Sequence, residues 1–159
     1  MKSHKKAFKC QMCGYCCYGE GGIVVSKKDQ KRLSLYLNLS FQTFRDKYTV
    51  LKGNQYVLQT NENGYCVFFH PDKGCFVHAH KPDICLAWPF FRGNLQDESS
   101  WQMAKEFCPG ISSEIDHKEF VRQGLLYLKE NNLFQDQLDK DIPQALLKKQ
   151  EADLLDSLI

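Results

Sequence analysis

Apolar positions along this chain change their spacing three times, and each change predicts a different kind of element. Between residues 26 and 48 the spacing is helical. Leu33, Tyr36 and Leu37 share a face behind Ser26-x-x-Asp29, the pattern of a capping box, and Phe41, Phe44 and Tyr48 form a second buried side behind Ser40. Two short helices are predicted there, preceded by a glycine-permitted reversal at residues 19–22 and a β-like run at residues 23–25. From Tyr48 to His78 the spacing shortens. Runs at 48–51, 55–59, 65–69 and 75–78 are separated by 52–54, 61–64 and 71–74, each with the Gly, Pro, Asn or Asp of a turn. This predicts a small antiparallel meander.

After the meander, Lys81-Pro-Asp-Ile-Cys85 reads as a turn entering a short helix, closed by the bulky Trp88-Pro-Phe-Phe91. That aromatic group is expected to wall off whatever site lies nearby. Helical spacing then returns: Ser113-x-x-Asp116 can cap a helix with Val121, Leu125 and Leu128 on one face, and Asn131-Asn132 supplies its stop. Pro143 is expected to open a last helix, with Leu147, Leu154 and Leu158 along one side and Leu146 and Leu155 flanking. Such a stripe ordinarily folds back onto its own domain; a partner-binding face is the sharper alternative. The expected class is α+β, a small meander with flanking helices. Residues 1–9 form a basic arm, 10–110 a central domain and 111–159 a helical extension packing on it.

Cysteine changes this picture most. Cys10, Cys13, Cys16 and Cys17 fall within eight residues, and Cys66, Cys75, Cys85 and Cys108 follow. A thiolate is a soft ligand for zinc, iron or an iron–sulfur cluster, and C-x2-C lets two sulfurs converge from one turn. Eight cysteines would also suit a disulfide scaffold, but the short basic arm lacks the apolar run and cleavage site of a secretory signal. A cytoplasmic setting is therefore expected, where such a pattern points to metal rather than to disulfides.

Cys10-x2-Cys13-x2-Cys16 reproduces three corners of [4Fe–4S] ligation, and Cys108-Pro109 offers a fourth ligand followed by proline. Cys17, Cys66, Cys75 and Cys85 would then suffice for a second site, and Cys16 and Cys17 are expected to serve different metals, because neighbouring side chains of an extended chain point in opposite directions. Zinc bound by four thiolates uses the same residues. His70, His78 and His80 are weaker ligand candidates, and His4 and His117 carry no motif.

Composition bounds the rest. A length of 159 residues, 43% of them hydrophobic, supports one domain with its own core, and no apolar stretch reaches the ~20 residues of a membrane helix. The formal charge is +2 with cysteine counted neutral, and thiolates holding dications would turn it negative. Charge gives no case for nucleic acid. No H-E-x-x-H, phosphate-binding glycine loop or nucleophile–base pairing is present, so no reaction can be named.

The order C-x2-C-x2-C-C at Cys10 to Cys17, Gly64-Tyr-Cys66 with Cys75 downstream, Lys81-Pro82-x-x-Cys85-x-x-Trp88-Pro89-Phe90, and Cys108-Pro109-Gly110 resembles the YkgJ-type cysteine-cluster family. Lys81 and Leu86 stand where that family tends to have arginine. The resemblance implies zinc or iron chelation in a bacterial cytoplasm. An iron–sulfur cluster, expected as [4Fe–4S], ranks ahead of zinc, with redox, metal handling or maturation of another protein as the role. A zinc-stabilised interaction module without catalysis is the alternative. The flagellin lysine methylases carry a related cluster, but no methyl-donor motif is recognisable here.

Overall fold

The protein is described here from a computed structural model covering residues 5–19, 22–135 and 143–159. Residues 1–4 of the basic arm and residues 20–21 of the expected glycine reversal lie outside the described residues. Two compact units divide the chain. One contains the described residues up to Cys13 and those of 87–135 and 144–159; the other contains the described residues of 14–86 and Pro143.

In the second unit the predicted helices form where their caps stand. The Ser26 hydroxyl accepts the Asp29 N–H while the Asp29 carboxylate accepts the Ser26 N–H, opening α1 (Lys27–Tyr36). Ser40 accepts from the Thr43 N–H and opens α2 (Phe41–Tyr48). Leu33 and Phe44 are fully buried, whereas Tyr36 is exposed. β1 (Thr49–Lys52) pairs antiparallel with β2 (Gln55–Leu58), Thr49 opposite Leu58. Residues 23–25 lie along the other edge of β2, with Val24 opposite Val57.

β3 (Phe69–His70) and β4 (Gly74–Cys75) make a separate hairpin. The expected meander is therefore replaced by two two-stranded sheets. Its third run keeps only a bridge to the second, Cys66 opposite Thr60, and lends Phe69 to β3; it does not extend further because Tyr65 bridges Tyr18, the Cys66 N–H donates to the Cys17 carbonyl, and the Phe69 N–H turns back to the Cys66 carbonyl. The unit's core gathers Val25, Leu33, Phe44, Leu58, Phe68, Phe69 and Val77, with Cys66 among them. At its end, α3 (Asp83–Ala87) forms where the turn after Lys81 predicted it.

The first unit is helical. The pattern of apolar residues did not announce α4 (Arg92–Gln96) or α5 (Glu98–Phe107), which Asp97 separates: its carboxylate accepts from the Ser99 and Ser100 N–H groups. α6 (His117–Asn131) carries Val121, Leu125 and Leu128 inward and ends at Asn132 in left-handed conformation, φ 52°. Its N-cap is Asp116, bonded to the Glu119 N–H at 2.8 Å, rather than Ser113. The carboxylate one turn further on satisfies the helix end directly.

α7 spans Lys149–Leu158, so Pro143 does not open it. The intervening backbone is held elsewhere, with Arg92 N–H donating to the Ala145 carbonyl and Gln135 N–H to the Leu147 carbonyl. Leu146, Leu147 and Ala152 are buried, whereas Leu154 and Leu158 are 64% and 73% exposed. The expected leucine stripe thus splits between a buried lead-in and an exposed outer face. Phe90 packs against Phe8, Phe120 and Tyr127 in the core of this unit.

Candidate metal centre

Cys16 and Cys17 sit in a single 3-10 turn, Tyr15–Cys17, which begins after Gly14 at φ 88°. Glycine is required at that position. A Cβ on Gly14 would lie 2.5 Å from the Phe69 ring and would also hold the left-handed φ that other residues resist. The turn overturns the extended geometry expected for the vicinal pair. Instead of pointing to opposite sides, the two sulfurs stand 4.0 Å apart. Sulfurs at two corners of a tetrahedron with 2.3 Å bonds to zinc would be roughly 3.8 Å apart.

Backbone bonds then carry other cysteines toward this turn. Cys66 donates its N–H to the Cys17 carbonyl at 2.6 Å, and Gly19 donates to the Gly64 carbonyl. Cys66 is buried, Cys75 is half-buried on β4 and Cys85 is half-buried on α3. The titrations of these thiols are coupled. A hydrogen bond from the Cys17 thiol, opposed by burial and assisted by Lys81, lowers Cys16 to about 7. The same bond, together with burial and the charges of Cys16, Cys66 and Cys85, pushes Cys17 up. Burial raises Cys66 to about 11, with Cys75 and Cys16 adding to it, and burial followed by Cys66 and Cys16 holds Cys85 well above the ordinary thiol range. Five thiols of one unit thus feel one another's charge.

Among the described residues no three His, Cys, Asp or Glu side chains are already grouped as a ligand set for one ion. The donor chemistry nevertheless fits a soft metal. Thiols that raise one another's pKa repel as thiolates, and a dication shared among them removes that repulsion. Cys16, Cys17, Cys66 and Cys85, with Cys75 beside them, are the residues of this unit that could hold it.

Cys10, Cys13 and Cys108 belong to the other unit. The Met12 N–H points at the Cys10 sulfur, 3.4 Å away, and the Lys9 N–H donates to the Gly110 carbonyl at 2.9 Å. That bond ties the segment of Cys10 to the turn that follows the buried Cys108. Cys13 is exposed. The histidines have other contacts: His70 Nδ1 accepts from the Asp72 N–H, His78 Nε2 lies 3.5 Å from Lys81 Nζ, and the His80 ring stacks on Tyr36 at 4.1 Å.

A group that sequence reasoning missed lies behind Cys85. Arg32 from α1 reaches the carbonyls of His80 and Lys81 and the carboxylates of Asp29 and Asp83. Asp29 also accepts the Asp83 N–H at 3.0 Å. Its side chain is wholly buried, and burial and Asp83 raise its pKa against the pull of the N–H donors and Arg32. No motif announces Arg32; only the capping role of Asp29 was legible.

A family model described as “putative zinc- or iron-chelating domain”, named for its C-x2-C-x2-C-C run, matches residues 9–109. The chain belongs to this CxxCxxCC family. The match takes in all eight cysteines and stops before α6 and α7, whose residues fall outside the family's extent. No solved structure matches the chain. No helix among the described residues is long and apolar enough to cross a membrane.

Proposed function

We propose that this member of the CxxCxxCC family binds its metal through thiolates alone, and that the metal is iron held with sulfide as a cluster. The observation that carries thiolate binding is the gathering of thiols at one turn of one unit: the Cys16 and Cys17 sulfurs stand 4.0 Å apart, Cys66 is bonded through its N–H to the Cys17 carbonyl, and Cys75 and Cys85 are near enough for their charge to raise the Cys66 thiol or be raised with it. Soft all-sulfur sets of this kind select iron–sulfur clusters or zinc over oxygen-seeking ions. The run Cys10-x2-Cys13-x2-Cys16 favours the cluster, as [4Fe–4S], because its spacing supplies successive corners. Redox work, metal handling or maturation of another protein are the roles such a centre serves in the cytoplasm.

Zinc is the second reading, and one distance favours it. The 4.0 Å between the Cys16 and Cys17 sulfurs suits two ligands of one tetrahedral ion, whereas the cysteines of a [4Fe–4S] cluster each bind a different iron. In that case the metal replaces missing core, and the exposed face of α7 is where a protein partner would bind. Purification without oxygen, followed by iron, acid-labile sulfide and zinc analysis per chain, separates the readings. Brown protein with matched iron and sulfide is expected; colourless protein with stoichiometric zinc would replace the cluster by the second reading, and protein without metal would end both.

A further inference from the structure

The Cys85 thiol is carried by a helix that cannot orient it unaided. α3 has five residues, fewer than an isolated helix needs to be stable, so its direction is set by what holds its first turn. That hold comes from α1. Arg32 donates to the Lys81 carbonyl at 2.8 Å, to the Asp83 carboxylate at 3.1 Å and, more weakly, to the His80 carbonyl at 3.4 Å. Asp29 accepts the Asp83 N–H at 3.0 Å and is itself bonded to Arg32 at 2.9 Å. The turn is thus fastened at three residues, His80, Lys81 and Asp83, the last of them two residues before Cys85.

Stability alone is a poor reason for this arrangement. A wholly buried carboxylate paired with a guanidinium offsets desolvation against attraction, and a packed apolar pair of the same size would often hold the helices as well. What the pair supplies is direction. The guanidinium fork addresses two carbonyls and two carboxylates at fixed angles, which an apolar contact cannot do. The exposed Lys28–Asp83 pair at 3.2 Å adds little. We infer that Asp29 and Arg32 are positioning residues for a metal ligand: they lock the turn at residues 80–83 so that Cys85 is presented to the Cys16, Cys17 and Cys66 thiols. This rests on the thiolate binding proposed above.

The test is a double-mutant cycle on metal retention. Wild type, Arg32→Gln, Cys85→Ser and the double variant are purified without oxygen and titrated with ethylenediaminetetraacetate, with iron, sulfide and zinc per chain as the readout. Arg32→Gln should lose metal at a chelator concentration roughly 10–100-fold lower than wild type, the usual effect of removing an outer-shell partner of a ligand. Cys85→Ser should lose it too, and adding Arg32→Gln to Cys85→Ser should change nothing further. Arg32→Lys, which keeps the charge but not the fork, should fall between wild type and Arg32→Gln; it replaces Arg32→Gln in the cycle if far-UV circular dichroism shows that variant unfolded.

Full retention by the Arg32 variants beside a weakened Cys85→Ser would overturn the positioning role alone. So would Arg32 and Cys85 effects that multiply, since they would mean general destabilisation. A wild type without metal, or a Cys85→Ser variant that retains it fully, would overturn ligation by Cys85 and the positioning role with it.

Discussion

The proton between Cys16 and Cys17 sets how this chain would answer to pH. Cys16 titrates at about 7 because the neighbouring thiol donates to it, while Cys17, Cys66 and Cys85 remain protonated well above neutrality. A metal that takes all four as thiolates must displace the protons still present. Between about pH 8 and 9 Cys16 has largely lost its proton, so metal binding should release close to three protons and affinity should rise by up to about a thousandfold per pH unit. Below pH 7 the fourth proton steepens the loss. Affinity measured against a competing chelator of known pH dependence checks the slope, and an affinity independent of pH would remove these thiols from the ligand set.

The same pair shows where residue-level reading stopped. Cys10, Cys13, Cys16 and Cys17 were legible as ligand candidates because their density has no packing rationale, and the other four from the logic of metal motifs, yet their mutual direction was not. Alternation assumes an extended chain, and Gly14 bends this one into a 3-10 turn that brings the sulfurs to 4.0 Å. Cys16→Ser and Cys17→Ser are therefore expected to remove the same metal signal. Visible spectra and metal content of the two variants, prepared side by side, would show distinct losses if the pair served separate ions.

Elements were legible where a side chain satisfies the backbone locally. Ser26 with Asp29, and Ser40, announced α1 and α2, and their caps formed as the pattern required. α4 and α5 escaped because Asp97 serves as both a stop and a start, and because half of α5's apolar residues face outward: Met103 and Phe107 are exposed while Trp101 and Ala104 are buried. The third predicted strand failed for the opposite reason, the Cys66 N–H at its centre being claimed by the distant Cys17. Nothing in the spacing of residues 65–69 records that.

Two element-scale outcomes follow from the caps and turns. Asp116→Ala should cost about 1 kcal/mol, the usual loss of an N-cap, read as a lower midpoint of thermal or urea unfolding. Because α6 lies outside the family's matched residues and carries no cysteine, metal content should not change. Gly14→Ala should behave in reverse, with the turn strained against Phe69 and metal retention reduced even where the helical content by circular dichroism is kept. An alanine variant that retains metal like wild type would mean that the turn is not needed to present Cys16 and Cys17.

At the scale of the molecule the two units differ in how much of their order rests on packing. The first unit buries Trp101, Phe120, Leu125, Leu128, Leu146 and Leu147 between helices whose ends are capped by their own side chains. In the second, β3 and β4 are two residues each and α3 is five, so a large share of residues 64–86 has little regular structure of its own to hold it. Binding that occurs only in the folded state adds stability in proportion to the logarithm of metal over dissociation constant, about 2.7 kcal/mol at a hundredfold excess. That gain should fall on the second unit, where the coupled thiols are. Amide hydrogen exchange before and after exhaustive chelation is the direct measurement. Protection should collapse at Cys66, Phe69 and Cys75, whose N–H groups or strand neighbours lie among the thiols, while the amides of α6 keep theirs. Equal loss in both units would show that the whole chain folds on the metal, and no loss in either would show that the thiols bind it without supporting the fold.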